Sequence, residues 1–140
     1  MIFRIIAIDP AHPDAIACLQ AYLAELSQAM PYDFSANSFL TDGQAQMRPP
    51  VGCFLLAYDL DRPIACVGLR PESGTTAEVK RLWVAASARG AHLGQSMMAA
   101  VEAAALGLGM THLRLDTSRH LPGAIAFYHR LGWTEIARYN

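Results

Sequence analysis

The chain has 140 residues, of which 53% are hydrophobic and 16% charged, and its formal net charge is −1. These values predict one compact domain over residues 1–140 and exclude an extended disordered chain. The near-neutral charge, without a basic run, argues against nucleic-acid binding through phosphates. No apolar run is long enough to cross a membrane, and the first residues lack the layout of a signal peptide.

The three cysteines, Cys18, Cys53 and Cys66, are not spaced as paired metal ligands. Each lies in an apolar stretch, which indicates a buried free thiol in a reducing compartment. The histidines are scattered along the chain as well, so we predict no metal site. The expected location is therefore the cytoplasm.

The first part of the chain predicts a strand, a helix and an irregular connection. Residues 2–8 are apolar and β-branched, which favours a strand. Pro13 suits the first turn of a helix, and apolar residues recur at helical spacing from Ile16 to Met30. Residues 30–50 are too interrupted for a long helix, but a short one fits residues 38–46. Their aromatic and polar side chains suit either the lip of an acceptor site or a covering loop.

Three strands are predicted next, at residues 53–58, 64–69 and 76–84, and their short connections make them an antiparallel meander. An Ala-rich helix follows at residues 93–108. The strand after it, residues 111–116, should lie parallel to residues 76–84 because a helix connects the two. A last helix opens at Pro122 and ends at Gly132, and residues 133–139 predict a final strand.

The connection between residues 76–84 and the Ala-rich helix contains Arg89, Gly90 and Gly94. The first N–H groups of a helix have no partner within it, and the helix dipole places partial positive charge there. Glycines allow an anion to approach the backbone, and Arg89 adds a fixed charge. The pattern therefore suits a pyrophosphate, although glycines in such a turn also serve tight turning alone.

Two blocks of the chain resemble the GNAT family of N-acetyltransferases. Arg89-Gly90-Ala91-His92-Leu93-Gly94 is similar to the family's acetyl-CoA loop, Gln/Arg-x-x-Gly-x-Gly/Ala. The block from Ala124 to Trp133 is similar to Ala-Ile-x-x-Tyr followed by Leu-Gly-Phe, in the family's order and spacing. The resemblance implies an α/β (α+β) fold, a mixed, mostly antiparallel sheet with helices on both faces that splits near the cofactor.

The chain departs from the family pattern at two places. His92 occupies the position of the middle glycine of the loop. At the C-terminus no residues follow for the family's final strand, so either residues 133–139 pair directly with the preceding strand, or a second copy covers an exposed edge. The second arrangement would be a homodimer.

The resemblance also implies acetyl-CoA as cosubstrate and acetyl transfer to an amine by direct attack. The acceptor is expected to be a small molecule, and no cysteine is placed for a covalent route. If residues 76–84 end in a bulge, a freed N–H there would bind the thioester carbonyl. The expected cofactor-binding residues are Leu82, Trp83, Val84, Arg89, Gly90, Ala91, His92, Leu93, Gly94, Gln95 and Tyr128.

Tyr128 is the expected general acid for the leaving thiolate, and a packed helix aromatic is the alternative. Glu78 is the expected general base, although a surface pair with Lys80 or Arg81 would explain it equally well. His120, just before the last helix, is a second candidate base. The rival to an enzyme is a non-catalytic acyl-CoA-binding or regulatory domain.

Strand alternation predicts two faces for residues 76–84. The first face would carry Glu78, Lys80, Leu82 and Val84. The opposite face would carry Val79, Arg81 and Trp83.

Overall fold

In the part of the chain that the computed structural model describes, residues 2–31 and 35–139, five strands form one sheet. The strands lie in chain order across the sheet. They are β1 (Arg4–Ala7), β2 (Cys53–Asp59), β3 (Arg62–Ser73), β4 (Thr76–Val84) and β5 (His112–Arg114). The pairs from β1 to β4 are antiparallel, and β5 is parallel to β4. The expected mixed, mostly antiparallel sheet is thus confirmed.

Helices cover both faces of the sheet, as expected. They are α1 (Pro13–Ala29), α2 (Ala36–Thr41), α3 (Leu93–Gly107) and α4 (Pro122–Arg130). Alternation along β2 divides the core, because successive side chains of a strand point to opposite faces. Phe54 and Leu56 pack with the buried face of α1, whereas Leu55 and Ala57 pack with Leu93 and the rest of the α3 stripe. The central strands are therefore buried on both faces.

The connection after α1 contains a short helix, α2, which overlaps the expected residues 38–46 but begins two residues earlier, and a turn of 3-10 helix follows at Gln44–Gln46. Ser35 caps α2 by accepting a hydrogen bond from the N–H of Ser38. Phe39 is buried and packs edge-on against Tyr22, with ring centres 5.6 Å apart. Residues 32–34 of this connection lie outside the described residues. Packing of α2 against α1 places its side chains beside the end of β4.

β4 and β5 separate soon after they begin. They pair only from Thr76 opposite His112 to Glu78 opposite Arg114. Among the described residues, the edge of β4 from Val79 to Val84 has no strand partner on that side. The sheet therefore opens into a cleft, with α4 beside it.

The prediction of a strand at residues 133–139 is wrong. This segment has no strand pairing in the described structure, and β5 is only three residues long. Side chains hold the segment instead: Trp133 packs against Tyr128, and Tyr139 packs under Arg114 and bonds Glu78. Strand propensity needs a neighbouring edge in register, and the short β5 does not supply one here.

Candidate active site

A β-bulge interrupts β4 at Arg81. Lys80 lies opposite Gly68 and Trp83 opposite Cys66, so two residues of β4 face one residue of β3 between these pairs. Arg81 has φ 61°, a left-handed conformation that is costly for a residue with a side chain. The carbonyl of Arg81 leaves the ladder and accepts a hydrogen bond from the Cys66 thiol at 3.2 Å. The structure thus contains a bulge where the family resemblance implies one.

The bulge also changes which side chains share a face, so the simple alternation expected for β4 is wrong. Val79, Leu82 and Val84 all pack with the α3 side of the core, whereas Trp83 packs with the α1 side. The Arg81 side chain lies over Phe39 of α2. One additional residue in the strand therefore moves Arg81 into the cleft.

Two connected cavities fill the opening between β4, β5 and α4. The smaller, of about 170 Å³, contains Glu78 and Leu82 in its lining. The larger, of about 970 Å³, extends between α2 and residues 133–139. Both share the side chains of Tyr22, Arg81, Leu115, Asp116, Thr117, Leu121 and Tyr128. The predicted acid is thus on the boundary between a narrow cavity and a wide one.

Tyr128 is half-buried and supported by two aromatic rings. Its ring packs at an angle against Phe127 and Trp133, with centroid distances of 5.3 and 6.0 Å. In the described structure its hydroxyl makes no hydrogen bond to protein. Burial, with a smaller contribution from Tyr22, raises the pKa of Tyr128 well above that of a free phenol. The group is therefore a protonated hydroxyl available to a ligand.

Glu78 is a buried carboxylate, not half of a surface pair. Oε1 accepts a hydrogen bond from Arg70 Nε at 2.8 Å and lies 3.8 Å from Lys80 Nζ, and Oε2 accepts one from the Tyr139 hydroxyl at 2.7 Å. Burial acts to raise the pKa of Glu78, but the bonds from Tyr139 and Arg70 and the charge of Lys80 outweigh it and lower the pKa. Such a carboxylate takes a proton from an ammonium group poorly.

The loop before α3 has the backbone of a tight turn. Gly90 has φ 89° and His92 has φ 58°, so His92 adopts the left-handed conformation that the family's glycine would favour. His92 is the N-cap of α3 and provides no side-chain cap. The first N–H groups of the helix thus receive no acceptor from this residue.

The side chain of Arg89 bonds two groups of the protein. Its Nε donates to the Val84 carbonyl, and its terminal nitrogen donates to Glu25 of α1. Glu25 also accepts a hydrogen bond from the Trp83 indole. Arg89 and Trp83 therefore tie β4 and the loop to α1 in this structure.

Gly94 allows close packing between α3 and α4. A Cβ placed on Gly94 would lie 3.2 Å from the Phe127 ring, which is tighter than an ordinary contact. Phe127 in turn supports Tyr128. A bulky residue at position 94 would disturb the site itself, so loop function is better tested at a neighbouring position.

The structure brings some of the expected site residues together and leaves others apart. Glu78, Leu82 and Tyr128 line the cavities, whereas Trp83, Val84 and residues 89–95 do not. The candidate base His120 lines neither cavity.

Sequence reasoning missed Arg81, Tyr22 and Tyr139 as site residues. The only sequence signal for Arg81 was a charge within an apolar strand, which is equally typical of a solvated edge. Tyr139 reaches Glu78 from 61 residues away.

Within residues 2–31 and 35–139, no group of three or more His, Cys, Asp or Glu side chains is arranged to hold a metal ion. The helices described there are all too short or too polar to cross a membrane.

Comparisons with known proteins identify relatives of this chain. The chain is 28% identical over 118 residues to the IAA acetyltransferase of Azospirillum brasilense. This alignment covers 84% of this chain and 72% of that protein. A GNAT-family acetyltransferase structure from Staphylococcus aureus Mu50 has 18% identity and a TM-score of 0.82, over 98% of this chain and 87% of that one.

The aminoglycoside N-acetyltransferase AAC(6')-Iy, in complex with CoA, has 17% identity and a TM-score of 0.72, over 99% of this chain and 92% of that one. Identities this low support the fold alone. The model of the Acetyltransferase (GNAT) family matches residues 19–133, which is most of the chain. The protein is therefore a member of the GNAT acetyltransferase family.

Proposed function

We propose that the protein is an acetyl-CoA-dependent N-acetyltransferase that acts on the amine of a small molecule by direct attack. The open edge of β4, next to the cavity that contains Tyr128, carries this proposal. An extended pantetheine can pair with such an edge as an added strand. β4 then leads into the loop and the first turn of α3, where a pyrophosphate would meet free N–H groups. CoA bound to a protein of this fold supports the same assignment.

The proposed cofactor contacts are mainly made by the backbone. Leu82 and Val84 would pair with pantetheine, and the N–H groups of residues 90–95 would surround the pyrophosphate. Arg89 already bonds Glu25 and the Val84 carbonyl. Its guanidinium would have to leave Glu25 to contact a phosphate, so its proposed role includes a change of partner on binding.

The proposed reaction forms one bond and breaks one. The amine nitrogen attacks the thioester carbonyl carbon, a tetrahedral oxyanion forms, and the C–S bond then breaks to release CoA. The bulge at Arg81 frees backbone groups from the ladder. An N–H at this position is the proposed oxyanion donor, a role in which a fixed dipole is especially effective. The Tyr128 hydroxyl is proposed to donate to the departing sulfur.

We propose that Glu78 takes the amine proton only through a bridging water, because both of its oxygens are occupied and its pKa is low. The Tyr139 hydroxyl is one of the groups that lower this pKa. Tyr139→Phe should therefore raise the pKa of Glu78 and move the acidic limb of the kcat/KM profile to higher pH. Tyr22→Phe, which removes a cavity hydroxyl that does not bond Glu78, should leave that limb in place. Coincident limbs in wild type and Tyr139→Phe would remove Glu78 from the proton path.

Gln95 offers the cleanest test of the cofactor site, since it is exposed in the first turn of α3. Gln95→Glu should lower acetyl-CoA affinity by about tenfold or more, because the carboxylate would repel the pyrophosphate at short range. The fold should be retained, since a glutamate near a helix N-terminus is favourable. Calorimetric titration with acetyl-CoA and with CoA measures the affinity.

Ala103→Glu is the matched control for this measurement. Ala103 is also exposed on α3, and eight residues place it about 12 Å further along the helix. The same added charge should change affinity there by less than about twofold at physiological ionic strength. Equal losses in both variants would argue against a pyrophosphate at the start of α3. Wild-type protein that is folded and binds neither ligand would end the transferase proposal.

The rival function is binding of acyl-CoA without turnover. The engagement of Arg89 by Glu25 is the contact that favours this alternative, since it withdraws a cation from the loop. The rival predicts cofactor binding without consumption of acetyl-CoA in the presence of any amine. Thiol release during an amine screen separates the two.

We also propose a cytoplasmic location, supported by three free and buried cysteines. We further propose a homodimer in which a second copy covers the outer edge of β5. This edge faces away from β4 and has no strand partner among the described residues. Light scattering measures the mass in solution, and a monomer at micromolar concentration would exclude this dimer.

A further inference from the structure

The guanidinium of Arg81 is a half-buried cation that lacks an anionic partner in the described part of the chain. Its carbon Cζ lies 4.2 Å from the centre of the Phe39 ring. No described carboxylate forms an ion pair with it. Other arginines do pair with a carboxylate: Arg48 with Asp9, Arg62 with Asp59, Arg70 with Glu78 and Arg89 with Glu25.

An arginine in this situation has unused binding capacity. The guanidinium has five N–H donors in a planar fork, and the described structure gives its side chain no hydrogen-bond acceptor. The charge of Asp42 attracts it from a longer distance without forming an ion pair. The guanidinium lies over the Phe39 ring, and the Arg81 side chain lines both cavities. Such a fork matches the geometry of a carboxylate.

The backbone of β4 adopts a costly conformation that places this side chain in the cleft. The left-handed φ of Arg81 and the bulge direct the Arg81 side chain to the side of α2. In a regular strand, side chains would alternate between the two faces without this extra residue. Strained residues of this kind concentrate at binding and catalytic sites. The hydrogen bond from the Cys66 thiol to the Arg81 carbonyl supports the same turn.

Arg81 also has the right position relative to the chemistry. It lines both cavities, and so does Tyr128. A small acceptor in the larger cavity can therefore place one group at Arg81 while its amine faces the thioester near Tyr128.

The charges around the larger cavity favour an acceptor that is not a polycation. Its described lining includes four arginines and three acidic side chains: Arg81, Arg114, Arg119, Arg138, Asp42, Asp116 and Glu135. A site for a molecule with several ammonium groups would require an excess of carboxylates. The lining also includes apolar side chains, such as Leu26, Met30 and Ile125, which can contact an apolar part of the acceptor.

We propose that the acceptor is an amine that also carries a carboxylate, such as an amino acid, and that Arg81 binds this carboxylate. This inference rests on the proposed transferase function and adds the class of acceptor to it. Arg81 is then a specificity-determining residue: it holds the end of the molecule that does not react.

The test compares each standard amino acid with its carboxamide, which has the same shape and lacks the carboxylate charge. Wild type should acetylate the best amino acid with a kcat/KM at least about tenfold above that of its amide, the effect of one charge-assisted hydrogen-bonded contact. The amide has the less basic amine, which favours it chemically, so a preference for the acid reports binding.

Arg81→Asn is the variant of choice, because asparagine tolerates the left-handed conformation better than other non-glycine residues. It should raise KM for the acid by about 10- to 100-fold and change KM for the amide much less, whereas any change in kcat that comes from the backbone at Arg81 should be the same for both substrates. Arg81→Lys, which keeps the charge, should recover part of the loss. Arg119→Gln removes an exposed arginine from the same cavity and should change KM by less than about threefold.

The outcomes separate this inference from the function on which it rests. If amides are acetylated as fast as acids, the proposal of a carboxylate site at Arg81 is wrong, but the proposed transferase function is unaffected. Equal increases in KM for acid and amide in Arg81→Asn would also overturn the carboxylate site, since they would indicate a structural role. The same holds if wild type binds acetyl-CoA but acetylates no standard amino acid. If wild type does not bind acetyl-CoA, both proposals fail.

Discussion

Tyr128→Phe is expected to lower kcat by about 10²- to 10⁴-fold, the usual contribution of a positioned proton donor. The hydroxyl is the only group removed. It makes no hydrogen bond to protein in the described structure, and it borders both cavities. A phenol is protonated at neutral pH, and burial raises the pKa of Tyr128 further, so the hydroxyl carries the proton that it would donate to the sulfur as negative charge develops there.

The same change should leave stability and cofactor affinity nearly unaltered. The ring of Phe would keep the packing against Phe127 and Trp133. Steady-state kinetics with the best amine, combined with calorimetric titration of acetyl-CoA, separates loss of chemistry from loss of binding.

Tyr22→Phe is the matched control, because it removes a second half-buried hydroxyl from the same cavities. We expect less than about a tenfold effect there, the size of one ordinary hydrogen bond. Activity of Tyr128→Phe within threefold of wild type would exclude the acid role. It would leave Tyr128 as a packed aromatic, or the protein as a non-catalytic binding domain.

Glu78→Gln is expected to lower the free energy of unfolding by about 2–4 kcal/mol at pH 7. Removing one partner of a buried ion pair costs about 3–5 kcal/mol, and the value here is reduced because Arg70 and Lys80 remain partly exposed. The variant leaves these two cations close together without the carboxylate between them. Urea denaturation measures the difference.

The loss should depend on pH in a defined direction. The pKa of Glu78 is lower in the folded protein than in the unfolded chain, so its stabilising effect is present above the unfolded pKa, about 4.3 for a free glutamate. It is lost as the pH falls through the lower folded value. The difference in the free energy of unfolding between wild type and Glu78→Gln should therefore be largest at pH 7 and decrease progressively below about pH 4.

Glu72→Gln provides the control, since Glu72 lies on the same strand, β3, as Arg70 and is exposed. Its effect should stay within about 0.5 kcal/mol, as for most surface substitutions. If Glu78→Gln lowered the free energy of unfolding no more than this control does, the contacts of Glu78 with Arg70, Lys80 and Tyr139 would not stabilise the fold.

The local pattern of residues was sufficient for most of the fold. Apolar patterning predicted β1 to β5, α1 and α3 in order, Pro13 marked the start of α1, and Pro122 and Gly132 bounded α4. The loop before α3 and the Tyr128 block were both recognisable, because each depends on residues close together in the chain. These features follow from steric and hydrogen-bonding preferences that act over a few positions.

Tertiary structure decided the electrostatics of the site and the edge of the sheet. Glu78 meets Arg70 through the register of β3 and β4, and it meets Tyr139 across 61 residues. Arg89 bonds Glu25 across 64 residues.

The bulge that turns Arg81 into the cleft is equally a tertiary feature. It comes from the pairing of β4 with β3, since the order of residues within β4 does not reveal where a ladder gains one extra position. Residues 133–139 likewise have strand-like composition, but pairing requires a partner edge that the short β5 does not provide. Composition and periodicity thus determined most elements of this protein, with residues 133–139 as the exception. The pairing of distant elements determined which charges meet in the cleft, because a charge acts on whatever folding brings within a few ångströms of it.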